Sequence, residues 1–383
     1  MLRNSKLILA VLLLVAAEAM LFNALGRYNI LPEGSEHWTE DWLIRYFSKR
    51  ETEPHRDIAL VLLNDETLEK EKLGPSLPVD RAWMAKLVKA IDSADPKAIA
   101  LDFYYASPID PAKDDMLAAA LRNSKAPIVL AAVDGSFLTT DTQRGFLRDF
   151  IKRTGRSAGH IYIKRSSEAL LLGDKASRLI DHGASADGYR SFASEIAHLP
   201  AVVEEFGEPA IPDGAQRIDW LLPPPGKNTF QRIPAYRIAA PDDAGARGSL
   251  KDKIVLVGPD FPHADRHYVP FSVGSQTEFP GIFVQAQALA QILDGRFFYS
   301  WTSLAQFIFL FAAGLAGAFS AVALQGSRVA ILLGIAGTIA IILASIPLFM
   351  ARIAIPSALA ILVWAGGITI GEQSHKWFKS RER

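Results

Sequence analysis

The chain has 383 residues, half of them hydrophobic, with 41 basic and 41 acidic side chains and no cysteine. That length holds one large domain beside membrane spans, and the absence of thiols excludes disulfides and thiolate metal sites. Residues 27–300 carry 33 Lys and Arg against 38 Asp and Glu, while the flanking segments carry 8 against 3; a basic nucleic-acid face is thereby excluded from the middle, and the surplus positive charge falls at membrane ends.

In chain order, residues 1–6 form a short basic lead, followed by a hydrophobic run over 7–25. The run is long enough to span a bilayer and lacks a small-x-small cleavage site after a short apolar core, so it reads as an anchor rather than a cleaved signal peptide. Arg3 and Lys6 place the N-terminus in the cytoplasm. Glu18 lies inside this span, where an ionisable group costs at least ~2.5 kcal/mol at mid-bilayer. It is either a functional group or, more simply, one placed near the outer interface or packed on another helix.

Residues 26–300 read as alternating strand and helix. Trp38–Phe47 is an amphipathic helix, Ile58–Leu63 an apolar strand, and Asp80 caps a helix reaching Ser93. Lys97–Leu101 is a second strand ending at Asp102. Asp114 and Asp115 open a further helix, where the positive helix N-terminus favours them, and Pro127–Ala132 is a third strand. This β-α-β-α-β order predicts an α/β domain with a mostly parallel central sheet covered by helices. Further on, Gly145–Arg156 reads as helix, Ile161–Lys164 as strand, and 170–185 carries little signal. Phe192–Phe206 is an apolar-periodic run, and Ile218–Leu222 is a strand stopped by Pro223-Pro224-Pro225-Gly226. Lys253-Ile-Val-Leu-Val-Gly258 reads as a fully buried central strand. A polar loop with His263, Asp265, Arg266 and His267 follows it, then a helix from Ile282 to Leu293.

Three hydrophobic runs close the chain, 301–324, 329–350 and 353–371, before a basic tail over 372–383. Pro347 and Pro356 sit near span ends, where helix breaks are tolerated. Four spans with the N-terminus inside put Arg328 and the tail in the cytoplasm and the domain outside, with Arg352 alone on the wrong side. Small residues recur at four-residue spacing, Ala313, Gly317 and Ala321 in one span and Gly367 and Gly371 in another. Such spacing lets helices approach closely; packing within the chain's own bundle is the simpler reading, a homodimer the other. No chain of ionisable groups crosses the last three spans, which argues against ion or proton transport.

These fragments together resemble the type-two CHASE domain, the extracellular sensory module of bacterial adenylate cyclases, histidine kinases and diguanylate cyclases. The resemblance rests on Ile58–Asp65 with Glu66 and Thr67, on Pro78 with Arg81, and on Ala98–Phe103. It continues through Asp114-Asp115 with Leu117, Asp187-Gly188 with Arg190, and 218–234. The strongest part is Lys253–Gly258 with Asp265-Arg266, Pro270, Pro280-Gly281 and Ala286. A Trp-Pro-Trp-type run usual in the family is replaced here by Ser76-Leu77-Pro78-Val79-Asp80 before Arg81. The resemblance implies a sensory domain outside the membrane. It also implies a cytoplasmic output domain, for which residues 372–383 leave no room, so the output is expected to belong to a separate protein.

Asp65, Asp102, Asp265 and Arg266 all fall at C-terminal ends of predicted parallel strands, where ligands of open α/β sheets bind. Arg81 reaches the same rim. In one reading Arg81 and Arg266 attract an anion that the aspartates orient. In the simpler one the aspartates accept backbone N–H bonds at turns and the arginines pair with them. No Gly-x-Ser-x-Gly or His-Glu-x-x-His motif and no Gly-rich phosphate loop is present. His263 and His267 read as two surface histidines, and no cofactor or metal is implied.

The leading expectation is a non-enzymatic sensory or scaffold subunit in the bacterial inner membrane. Its termini lie in the cytoplasm, its domain in the periplasm, and its partners are the lipid bilayer and another membrane or envelope protein. A structural docking component of an envelope complex is the alternative. An extracytoplasmic enzyme acting on an anionic substrate is a third.

Overall fold

The computed structural model describes residues 2–27, 34–74, 78–133, 138, 140–165, 176–223, 226–272, 277–299, 301–324 and 327–380. Ser76-Leu77 and the weakly patterned 170–175 lie outside them. In chain order the elements begin with helices α1 (Leu2–Arg27) and α2 (Gly34–Phe47), then β1 (Ile58–Leu63), α3 (Asp65–Lys70) and α4 (Arg81–Asp92). β2 (Ala98–Leu101), α5 (Pro111–Asn123), β3 (Ile128–Ala132), α6 (Asp141–Thr154) and β4 (Ser157–His160) follow. Next come β5 (Lys164–Arg165), β6 (Ser177–Asp181), α7 (Phe192–Ala197), α8 (Pro200–Phe206) and β7 (Ala215–Arg217). β8 (Gln231–Pro234), α9 (Ala235–Ala239), α10 (Ala244–Gly248), β9 (Ile254–Pro259), β10 (Arg266–His267), β11 (Phe279–Pro280) and α11 (Gly281–Leu293) complete the mixed part. Three long helices close the chain: α12 (Ser303–Leu324), α13 (Ser327–Met350) and α14 (Ser357–Ser380).

The chain divides into two compact units, one of Ser48–Arg165 and Lys175–Phe297, the other holding the terminal segments Met1–Phe47 and Phe298–Arg383. The first is an α/β body. Its six-stranded sheet runs β4-β3-β2-β9-β1-β8, with every pairing parallel. β1, β2, β3 and β9 are buried along their whole length, as expected where helices cover both faces and the strands are continuous apolar runs. Alternate residues such as Val61, Leu101, Leu130 and Val257 meet α4, α5 and α9 on one face. α11 and α7 pack on the other. β9, the last strand of this sheet in sequence, sits between β1 and β2. Gly258 at its end lets α11 approach, since a Cβ there would overlap the Ile282 side chain.

Three segments differ from the sequence expectation. The fourth parallel strand is Ser157–His160 rather than Ile161–Lys164. Its Ser-Ala-Gly-His composition has little β propensity, but the strand lies against α7 so closely that a Cβ on Gly159 would overlap the Phe192 backbone. The run Phe192–Phe206 is two helices, parted at Leu199-Pro200 because the residue before proline disfavours the α region. Ile218–Leu222 is buried, yet the strand here is β7, Ala215–Arg217, antiparallel to β6. Amide side chains take the place of a neighbouring strand. Gln287 accepts from Leu221 N at 2.9 Å and donates to Leu221 O at 3.0 Å. Gln291 accepts from Asp219 N at 3.1 Å and donates to Arg217 O at 2.9 Å. The glutamines thereby satisfy the middle of a buried segment whose ends, Ile218 N and Leu222 N, donate to the Arg178 and Lys49 carbonyls.

Among the described residues of the second unit, three helices are long and apolar enough to cross a membrane, over Lys6–Leu25, Ser303–Leu324 and Arg328–Met350. α14, where the sequence predicts a fourth span, is helical but turns polar after Gly371 and falls outside that group. α12 and α14 meet through glycine: a Cβ on Gly317 would overlap the Trp364 carbonyl, one on Gly367 the Gly314 carbonyl, and one on Gly371 the Ala318 carbonyl. Gly337 of α13 lies under the Trp364 ring, whose Nε1 donates to Leu333 O at 3.2 Å. Glu18 of α1 lies on Gly366, where a Cβ would overlap its carboxylate. Tyr299 N donates to Arg352 O at 2.8 Å, so the entry to α12 and the α13–α14 connection share one end of this bundle.

Candidate functional site

β9 lies between β1 and β2, and the helix that follows it, α11, packs on the face opposite α4 and α5, which follow β1 and β2, so a crevice opens beyond the strand ends between them. Ligands of open α/β sheets bind in the crevice outside such a point, beyond the strand C-termini. A cavity of about 650 Å³ lies there, within the α/β unit. Its walls are largely apolar, from Val79, Met84, Phe103, Ile109, Ile161 and Pro259; its charged groups come from Arg81, Asp102 and Asp265, with Tyr104, Tyr105, Ser107 and Gln143 adding neutral polar ones.

Arg81 is the first residue of α4, placed there because Asp80 caps the helix by accepting from Ala82 N and Trp83 N. Its guanidinium is only 4% exposed, pairs with the equally buried Asp114 of α5 and donates to Ser107 O. It also lies 5.4 Å from the Tyr105 ring centroid and 5.4 Å from that of Phe146. Lys113 pairs back to Asp80, so the N-terminal turns of α4 and α5 are held by two ion pairs.

Asp102 follows β2 directly. Its backbone N–H donates to Val257 O at 2.8 Å, which fixes the residue beside β9. The residue is 6% exposed and lines the cavity, yet its carboxylate has no hydrogen-bond or ion-pair partner among the described residues. Burial, and then the charge of nearby Asp265, push its carboxyl well above the ordinary range. Tyr105 also lines the cavity; its hydroxyl is buried and unpartnered, and burial raises its phenol as well.

Asp265 stands at the rim in the left-handed backbone region, φ 49°, a conformation that Asp tolerates better than most residues. Gly281 accommodates its carboxylate at the start of α11, because a Cβ there would overlap it. The Asp265 carbonyl accepts from Gly281 N at 2.9 Å. Asp265 Oδ1 also meets His267 Nε2 at 3.0 Å, and His267 Nδ1 meets Ser177 Oγ at 2.8 Å. This serine–histidine–aspartate chain presents no nucleophile, since Ser177 is fully buried.

The structure thus brings together Arg81, Asp102 and Asp265 of the residues singled out from sequence. Asp65 does not join them: it is exposed at the start of α3, whose cap is Asn64, bonded from Thr67 N at 3.0 Å. Arg266 does not line the cavity either; it pairs with Asp260 at 2.9 Å and donates to Phe261 O at 2.7 Å. The anion reading loses its two cations, because each already has a carboxylate partner within the chain. His263 is exposed but His267 is 4% exposed, so the two are not a surface pair. Among the described residues no group of three or more metal-ligating side chains occurs. Asp114 and Tyr105 are site residues that the sequence does not reveal. Its pattern marks Asp114 only as an acid in the first turn of a helix.

No curated protein and no solved structure matches the chain. The family profile of the CHASE2 domain, a family of extracellular sensory domains, matches residues 9–319, from within the first apolar helix to within α12. The chain therefore belongs to the CHASE2 domain family.

Proposed function

We propose that the chain is a non-enzymatic, membrane-anchored sensor whose α/β unit lies outside the inner membrane of a bacterium. It takes a small ligand in the strand-end cavity and passes occupancy to a separate membrane or envelope protein. The single observation that carries this reading is a cavity at the sheet's switch point, within a sensory-domain family, whose lining residues Asp102 and Tyr105 carry a buried carboxylate and a buried hydroxyl without partners. Protein interiors rarely leave such groups unmet, because each costs free energy that a ligand can return. The absence of catalytic motifs and the burial of Ser177 favour sensing over chemistry. The 24-residue α14 is taken as a fourth span through its apolar part, with Arg328 and the basic tail on the cytoplasmic side.

Purification of the full chain from native membranes in several mild detergents should recover a stoichiometric second protein. Recovery of the chain alone in every detergent would remove the coupling. Orientation is checked separately. The cysteine-free chain carrying Glu208→Cys, an exposed position, should react with a membrane-impermeant maleimide on intact spheroplasts, and protection there would reverse the topology.

A further inference from the structure

The two arginines near the cavity are neutralised within the chain, Arg81 by Asp114 and Arg266 by Asp260. Two carboxylates remain. Asp102 is only 6% exposed and has no partner among the described residues; Asp265 stands beside it at the rim, held by His267. The surrounding wall is hydrocarbon and aromatic, from Val79, Met84, Phe103, Tyr105, Ile109 and Ile161. A calcium ion takes about 6–8 oxygen ligands, of which two carboxylates supply only part, and no cluster of three metal-ligating side chains occurs among the described residues. An anion would meet Asp102 with no unpaired cation among the described lining residues to hold it.

We propose that the cavity recognises an organic cation, a protonated amine with an apolar or aromatic body, seated with its ammonium between Asp102 and Asp265 and its body against Phe103 and Met84. This deepens the sensory reading by naming the ligand class, and rests on it. The ammonium supplies the hydrogen bonds that Asp102 lacks. The aromatic and aliphatic wall matches the apolar remainder, as in most small-molecule sites.

The test is calorimetric titration of the full chain in detergent with 2-phenylethylammonium, against 3-phenylpropanoate, 2-phenylethanol and calcium ions. Saturable binding of the ammonium is expected, with the alcohol and the carboxylate weaker. Asp102→Asn should weaken the ammonium by about ten- to a hundred-fold, the size of a lost hydrogen bond to a charged group. The same variant should melt no lower than the parent without ligand, because it removes an unpartnered buried carboxyl rather than a structural contact. The proposal is overturned if the carboxylate binds as well as the ammonium, if calcium binds in an Asp102-dependent way, if Asp102→Asn leaves ammonium binding unchanged, or if the ammonium does not bind. The first two outcomes leave the cavity a ligand site of another class. The coupling reading fails separately, through recovery of the chain without a partner.

Discussion

Two buried charged groups lie in the wall of one cavity and are treated in opposite ways. The charge of Arg81 is matched by Asp114, by the Ser107 carbonyl and by aromatic rings, although its Nε finds no acceptor among the described residues. Asp102 is matched by nothing the described residues provide. The first is a charge-neutral structural joint between α4 and α5; the second is a charge left unpaired at a cavity wall, the pattern on which the proposed binding role rests.

The sharpest way to break this contrast is Asp114→Ala. It leaves the Arg81 guanidinium buried without its counter-charge, and denaturant unfolding of the α/β unit should show a loss of about 3–5 kcal/mol. Arg81→Met combined with Asp114→Leu should recover much of that, since a buried pair is replaceable by apolar groups of similar size. Equal losses in the single and double variants would contradict a charge-neutral joint.

His182 offers an intermediate case. It is 4% exposed, its Nδ1 meets Ser191 Oγ at 2.9 Å, and burial lowers its pKa from 6.5 to about 4. Between those values the unfolded chain binds the proton more readily, so stability present above pH 6.5 is lost as pH falls toward 4. The loss should approach about 3 kcal/mol, because each tenfold drop in proton affinity on folding is worth about 1.4 kcal/mol. Melting followed across that window should show it, and His182→Phe should flatten the slope; an unchanged slope assigns the effect elsewhere.

Gly281→Ala is expected to cost about 1–3 kcal/mol, because the new Cβ and the Asp265 carboxylate compete for one space. A crystal structure or a melting curve indistinguishable from the parent would mean that the loop yields without strain. The smallest effect belongs to Asp102→Asn, less than about 1 kcal/mol without ligand and not in the destabilising direction at neutral pH. The sign follows from its raised pKa: a carboxyl that prefers its proton when folded contributes stability at low pH and loses it as pH rises. A clear drop in melting temperature would make Asp102 structural and end the contrast with Arg81.

Much of the fold is legible from residues close together in the chain. The apolar run ending at Gly258 marks a central strand, and the positions of Asp102 and Asp265 beyond strand ends place them on the strand-end rim from sequence alone. Arg81's partner is not legible. It lies 33 residues away, and only the packing of α4 on α5 brings the two together. Ile218–Leu222 reads as a strand because apolar burial and strand pairing usually coincide; here the glutamines of α11 separate them. β4 is hidden by its small residues, which the close approach of Phe192 demands and β propensity does not favour.

Local periodicity and turn residues therefore determined the parallel α/β body and the apolar helices at both ends, since those signals act within a few residues. Tertiary structure alone decided which charges are neutralised and which are not. Burial and pairing depend on what the fold brings within a few ångströms, and that separation does not exist along the chain.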